Sequence, residues 1–299
     1  MEANSDSAEQ NNINRPQPVF LLLLDGWGVA AKSEANAISL AKLPNILKLI
    51  KEYPAAPLAS LNSSINSRYF SLGLGREMLE DDVNSFYDLS AIISTSGLKQ
   101  LKIFDSERLA PLTYFFNGRR EEKLMGEEWL TISSANEQQV FDPFLALDRK
   151  IKASLKAVKS NEYDFIVAAC PILDTLATNN DLMGVIKAAE LIDKAVRRLA
   201  AEILSLNGIL IISSTHGNAE KIIEIGTGLP NKEITNNPVP IIIVAQEFKG
   251  KTIGLQDSPD GDLSLLQTDG SLIDIAPTIL DFLQIKNKES MAGKSLLIN

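Results

Sequence analysis

One histidine occurs in the 299 residues, His216, and it lies in the stretch Gly208–Glu220, GILIISSTHGNAE. Imidazole is the side chain best suited to proton transfer near neutral pH and a common metal ligand. The continuous β-branched run Ile209–Ile212 just before it reads as a fully buried strand, and Asn207-Gly208 breaks the helical pattern that precedes the run. His216 is thereby predicted just past the carboxyl end of a central strand, the edge of an open α/β sheet where ligands collect. A hydrogen-bonded structural histidine fits the same spacing, and both readings stay open. Asp25 ends the apolar run Pro18–Leu24 and is expected on the same edge. By position alone its carboxylate reads as a turn hydrogen-bond acceptor or a helix cap. Ser63, Ser64, Ser67 and Ser71 cluster between Ser60 and Gly75, which reads as a loop. A loop serine near strand ends can be a nucleophile, but most such serines satisfy backbone groups, and no histidine lies nearby in the sequence to act as base.

Composition narrows the classes of partner. The formal charge is -9 and hydrophobic residues make up 45% of the chain, so it is globular and has no basic footprint for nucleic acid or an anionic membrane. One cysteine, Cys170, excludes an internal disulfide and disfavours a thiolate metal site; its apolar neighbours Val167–Ala169 predict a buried thiol. The apolar run Val19–Leu24 is too short for a membrane span and ends in Asp25. A cytoplasmic protein is expected. Residues 1–17, rich in Asn, Ser, Glu and Gln, read as a disordered tail.

The elements that must position these residues follow in order. Pro18–Leu24 is a strand turning at once through Gly26 and Gly28, and Ala35–Tyr53 is helical with a break at Pro44. Arg76–Ser96 changes character several times and reads as a connector. Thr113–Asn117 reads as a strand, Gly118–Gly126 as a charged loop, Ile151–Lys159 as part of an amphipathic helix and Tyr163–Ala169 as a buried strand. Leu182–Leu206 is the clearest helix, and Val239–Val244 a further strand. Gln246–Gly270 reads as a surface excursion, and Asp274 as the N-cap of a helix running to Leu283. Alternating strands and helices predict a doubly wound, largely parallel α/β sheet with helices on both faces.

LDGWG at Leu24–Gly28, HGNAE at His216–Glu220, NNPVP at Asn236–Pro240 and DIAPTILDFL at Asp274–Leu283 together resemble the cofactor-independent phosphoglycerate mutases of the alkaline phosphatase superfamily. GLKQLKI at Gly97–Ile103 and TYFFNGRREEKLMGEEW at Thr113–Trp129 are similar to the segment where that family's chain returns to its metal-binding domain. The resemblance covers most of the chain after Pro18. It implies one alkaline phosphatase-like domain over 18–299, with the short interval 77–96 in place of the family's inserted substrate domain.

It also implies a site with two Mn²⁺ or Mg²⁺ ions and a phosphoryl-carrying serine, interconverting 3-phosphoglycerate and 2-phosphoglycerate in glycolysis. By this resemblance Asp25, Asp174 and His216 match metal ligands, and Ser67 the nucleophile, with Ser64 and Ser71 as rivals. Other ligand positions hold Thr178, Thr215 and Ile234. Too few donors remain for two ions, so at most one ion is expected, and the expectation is a degenerate mutase-like protein that acts by binding or by pairing with an intact mutase or another enzyme. The rivals are a single-metal phosphatase or phosphotransferase using Asp25, Ser67 and His216 on a small phosphorylated metabolite, and a structural subunit of a larger complex.

Overall fold

The computed structural model describes residues 15–78, 87–135, 140–224, 226–253, 255–258, 260–286 and 290–297. Seven strands, β1 (Val19–Leu23), β2 (Ala55–Leu58), β3 (Gln100–Asp105), β4 (Glu127–Ile132), β5 (Phe165–Ala169), β6 (Ile209–Ser213) and β7 (Val239–Val244), form one sheet in the order β2-β7-β6-β1-β5-β3-β4. From β6 to β4 every pairing is parallel; β7 alone runs against its neighbours. The expected doubly wound, largely parallel sheet is therefore present.

Both faces of the sheet are covered, which is why β1 reads as an unbroken apolar run rather than an alternation. Phe20 and Leu22 pack with the helices α1 (Ala37–Leu40), α2 (Pro44–Glu52), α5 (Pro143–Ser160), α6 (Ile172–Thr178) and α7 (Leu182–Ser205). Val19, Leu21 and Leu23 pack on the opposite side with α3 (Ile65–Leu74), α4 (Leu89–Thr95) and α8 (Ile275–Phe282). The period of two along the strand assigns alternate residues to the two cores.

Several local expectations are corrected. The presumed serine loop contains α3, whose first turn is capped by the Ser64 hydroxyl accepting from the Ser67 amide. Its polar start and its internal Gly73 hide a helix that gains its stability from burial of Arg68–Leu74. The strand expected at Thr113–Asn117 is instead a π-helical segment, Ala110–Phe115, with Pro111 in its first turn. Its aromatic residues favour strands in isolation, but no strand neighbour is available to them here. The second half of the supposed connector is α4, all but the last residue of it buried. Asp274 occupies the N-cap position of α8 as expected, but its side chain makes no cap bond to that helix. Ser271 caps the 3-10 turn Leu272–Asp274 that leads into α8, while the Asp274 carboxylate accepts from the amides of Ser271 and Lys294.

The tail expected over 1–17 lies outside the described residues as far as 14. Arg15 pairs with Asp164 at 3.0 Å. Cys170 is buried, as its neighbours predicted, and burial pushes its thiol pKa up. No helix among the described residues is long and apolar enough to cross a membrane.

Candidate metal-ligand site

Four adjacent parallel strands deliver the candidate site. In spatial order β6, β1, β5 and β3 lead at their carboxyl ends to His216, Asp25, Asp174 and Arg108 respectively. Asp25 is two residues past β1, Asp174 is in the first turn of α6, and Arg108 ends the 3-10 turn Ser106–Arg108 that follows β3. Asp25 and His216 are fully buried and Asp174 is 8% exposed. The structure thus brings together the three side chains matched by sequence to metal ligands.

At the centre of the group lies a guanidinium. Arg108 donates from Nε to Asp25 Oδ2 and from Nη2 to Asp174 Oδ2, each at 2.7 Å. Asp25 Oδ2 also accepts from the Tyr69 hydroxyl at 2.7 Å, and Asp25 Oδ1 from Thr215 Oγ1 at 2.7 Å. Asp174 Oδ1 accepts from Asn218 Nδ2 at 3.0 Å. His216 Nδ1 meets Thr215 Oγ1 at 2.8 Å, while Nε2 stands 3.3 Å from Asp174 Oδ1 without hydrogen-bond alignment. Nε2 is a buried polar atom with no hydrogen-bond partner.

The electrostatics follow from this packing. Burial disfavours charge on Asp174, but His216, Arg108 and Asn218 together hold its carboxyl well below the usual carboxylate range. Burial likewise disfavours the Arg108 cation, yet Asp25, Tyr69 and Asp174 raise its pKa above the ordinary arginine value. Burial and the Asp25 carboxylate push the Tyr69 phenol well up, so it stays protonated and donates.

The remaining sequence candidates fall around this core. Thr215 bridges Asp25 and His216, and Thr178 accepts from Asn218 Nδ2 at 3.1 Å. Ile234 offers no donor atom to a cation. Ser67 hydrogen-bonds with the Ser64 hydroxyl at 2.9 Å and touches none of Asp25, Asp174 or His216 by hydrogen bond. Ser71 accepts from the Met78 amide. Arg68, next to Ser67, turns inward and donates to Ser60, Ser63, Thr215, Thr235 and Asn236. Sequence reading missed Arg108, Tyr69 and Asn218. The available signal was a charge argument: two carboxylates expected at one buried edge require a cation.

The intact HGNAE and DGWG motifs have a structural explanation. The buried Glu220 carboxylate accepts from the amides of Gly28 and Asn218, from the Thr235 hydroxyl and from Asn237 Nδ2, tying three loops together. Gly28 must be glycine for this: a Cβ there would stand 2.3 Å from the Glu220 carboxyl carbon.

The fold and the position of this cluster define a protein of alkaline phosphatase-like architecture. The chain belongs to the Metalloenzyme superfamily, whose family model matches residues 17–287. Among curated proteins it is similar to the 2,3-bisphosphoglycerate-independent phosphoglycerate mutase of Chloroflexus aggregans, 33% identical over 212 residues, which are 70% of this chain and 37% of that one. The enzyme of the same description from Pyropia yezoensis is 35% identical over 218 residues, 73% of this chain and 39% of that one. The chain thus spans about two-fifths of the length of these relatives.

Among solved structures it resembles a phosphoglycerate mutase of Leishmania mexicana studied at low cobalt concentration, with a TM-score of 0.73 at 12% identity, covering 95% of this chain and 98% of that one. A magnesium-bound variant of TAB5 alkaline phosphatase gives a TM-score of 0.57 at 13% identity, covering 91% and 99%. At these identities the likeness is one of fold.

A metalloenzyme family with phosphoglycerate mutase relatives implies a divalent metal. The donors here do not fit one. Both carboxylates are already bridged by the Arg108 guanidinium, and among the described residues no three His, Cys, Asp or Glu side chains are gathered so as to hold an ion. A divalent cation prefers several anionic or carbonyl oxygens, and the neutral Thr215 and Thr178 hydroxyls add no charge.

Proposed function

We propose that this chain is a mutase-fold protein that has given up metal-dependent phosphoryl transfer and works by binding, pairing with an intact phosphoglycerate mutase or another enzyme. The observation that carries this reading is the Arg108 guanidinium bonded to both Asp25 and Asp174. Two-metal transfer needs cations that polarise the phosphoryl oxygens and activate the nucleophile. A guanidinium engaged on both sides cannot generate a serine alkoxide, and Ser67 is turned to Ser64 rather than to the cluster. Residues 77–96, too few for a core of their own, stand in this reading where the family's substrate domain would be inserted. A cytoplasmic location suits an acidic chain with one buried, unpaired cysteine.

The test is a mutase assay on the purified protein with Mn²⁺ and Mg²⁺, alongside metal analysis. No turnover and no stoichiometric metal are expected; turnover accompanied by tightly bound ions would end the proposal. One observation favours residual chemistry: His216 Nε2 is buried beside Asp174 Oδ1 at 3.3 Å and makes no hydrogen bond. A single-metal phosphatase using Asp25, Ser67 and His216 would show Mn²⁺-dependent release of phosphate from simple phosphomonoesters. That release would disappear in His216→Ala.

A further inference from the structure

We propose that β4 is the docking edge for a second copy of this chain, the two β4 strands lying antiparallel about Leu130 and joining the two sheets into one. This self-association is independent of whether Asp25, Asp174 and His216 support any chemistry.

The backbone bonds of β3 fix which way β4 faces. The Gln100 amide donates to the Gly126 carbonyl at 2.8 Å, and Gln100 is in parallel register with Glu127. Successive residues of a strand turn their amides and carbonyls to alternate sides. Glu128, Leu130 and Ile132 therefore bond toward β3, while the amides and carbonyls of Trp129 and Thr131 point away from the sheet. β4 is the last strand in the order, and among the described residues nothing hydrogen-bonds those outward groups.

The opposite edge shows how this fold closes an edge against pairing. β2 contains Pro57, whose carbonyl accepts from the Asp269 amide, and Ala59 just beyond it bonds to both Gly270 and Leu272. β4 has neither device. It is six residues long, contains no proline or lysine, and runs in unbroken register with β3. Leu130 is 38% exposed and Thr131 is exposed beside it. A regular, open edge of this kind is a template for another strand.

Register and charge select a second β4 as that strand. A two-fold axis through Leu130 places Trp129 opposite the partner's Thr131, so each outward amide and carbonyl meets its complement. Leu130 then faces the partner's Leu130 at the close, non-hydrogen-bonded position, and Glu128 faces the partner's Ile132, so no like charges are opposed. Both carboxylates of the strand are already engaged inside their own chain, Glu127 with Lys102 at 2.8 Å and Glu128 with the Tyr163 hydroxyl at 2.7 Å. A charged peptide finds no free counter-charge along β4, whereas a second β4 satisfies the whole edge.

Sedimentation of the full chain over a concentration series should give a reversible dimer. Thr131→Pro removes an outward N–H while sparing the bonds to β3, and should be monomeric where the parent is dimeric. Leu130→Lys sets two ammonium groups against each other at the axis and should raise the dimer Kd by about tenfold or more. Met183→Lys, at an exposed apolar residue of α7, should dimerise like the parent. Oxidised with glutathione disulfide, Leu130→Cys should form a disulfide-linked dimer. Thr131→Cys should not, because it faces the partner's Trp129 and lies too far from its own counterpart; the native Cys170 is buried.

A parent chain that stays monomeric throughout the series overturns the proposal. So does a dimer that Leu130→Lys leaves intact, one that Met183→Lys disrupts equally, or one that cross-links through Thr131→Cys and not through Leu130→Cys. Should Thr131→Pro prove unfolded by circular dichroism, Leu130→Lys and the two cysteine variants decide the outcome. Mutase turnover by the parent would end the proposed function and leave this pairing untouched.

Discussion

At the scale of single residues, the cluster is an electrostatic balance with one guanidinium at its centre. Asp174 has a folded pKa held below the ordinary aspartate value, so its contribution to stability is fully present above that ordinary value and is lost as pH falls through the lower folded one. Asp174→Asn should therefore be less stable than the parent at pH 7 and show a flatter loss between about pH 5 and pH 2. Guanidinium denaturation across that range checks it, and parallel pH profiles would count against the assignment. Thr215→Asp should also be destabilising, by about 1–3 kcal/mol at pH 7, because it sets a third carboxylate beside Asp25 Oδ1 with no added cation. In a site holding two ions the same aspartate would be favourable. Asp25 and His216 were legible as candidates because each follows a buried strand directly in sequence. Arg108 was not, since its two partners lie 83 and 66 positions away in the chain.

At the scale of elements, the site is held by contacts between segments that sequence periodicity describes poorly. Helix α3 carries both Arg68 and Tyr69 toward the cluster and lies against the end of the π-helical segment. A Cβ at Gly73 would stand 2.1 Å from the Phe116 carbonyl oxygen, so Gly73→Ala should push the two segments apart and cost about 1–3 kcal/mol or more. Chemical denaturation measures that loss; an unchanged midpoint would mean that α3 does not sit this close to the segment.

Lys102 and Glu127, both fully buried in their side chains, pair at 2.8 Å between β3 and β4. Lys102→Met should cost about 3–5 kcal/mol, since it strands a buried carboxylate, whereas a stability change under 1 kcal/mol would mean the pair is dispensable. Here burial lowers the lysine pKa while Glu127 resists the shift. Helix α7 and strands β1, β5, β6 and β7 were readable from an amphipathic period and from continuous apolar runs, whereas α5 was read only over Ile151–Lys159 and β3 was not read as a strand. Helix α3 and the π-helical segment were not readable, because close backbone approach, rather than an apolar stripe, decides their conformation.

At the scale of the whole molecule, a scaffold shared with metalloenzymes is stabilised by two hydrophobic cores, one on each face of a seven-stranded sheet. Both cores are built of apolar side chains, Tyr69 of the cluster among them, and Arg108 already balances the buried carboxylates, so no ion is needed to neutralise them. Refolding from denaturant into EDTA should return the same melting temperature as refolding into MnCl₂, and a yield dependent on metal would contradict the internal cation. The family relationship and the parallel sheet were present in the sequence motifs, whereas the reason those motifs persist was not. Glu220 joins the DGWG, HGNAE and NNPVP loops by hydrogen bonds, so their retention needs no catalytic explanation.

By itself the sequence determined the strands that end beside Asp25 and His216, and the family, because local pattern and residue type carry that information directly. Only the tertiary structure decided what balances the surviving carboxylates. A charge buried at the junction of four strands is compensated by whichever cation the fold brings within reach, and Arg108 reaches both Asp25 and Asp174 through space, across intervals that no local pattern records.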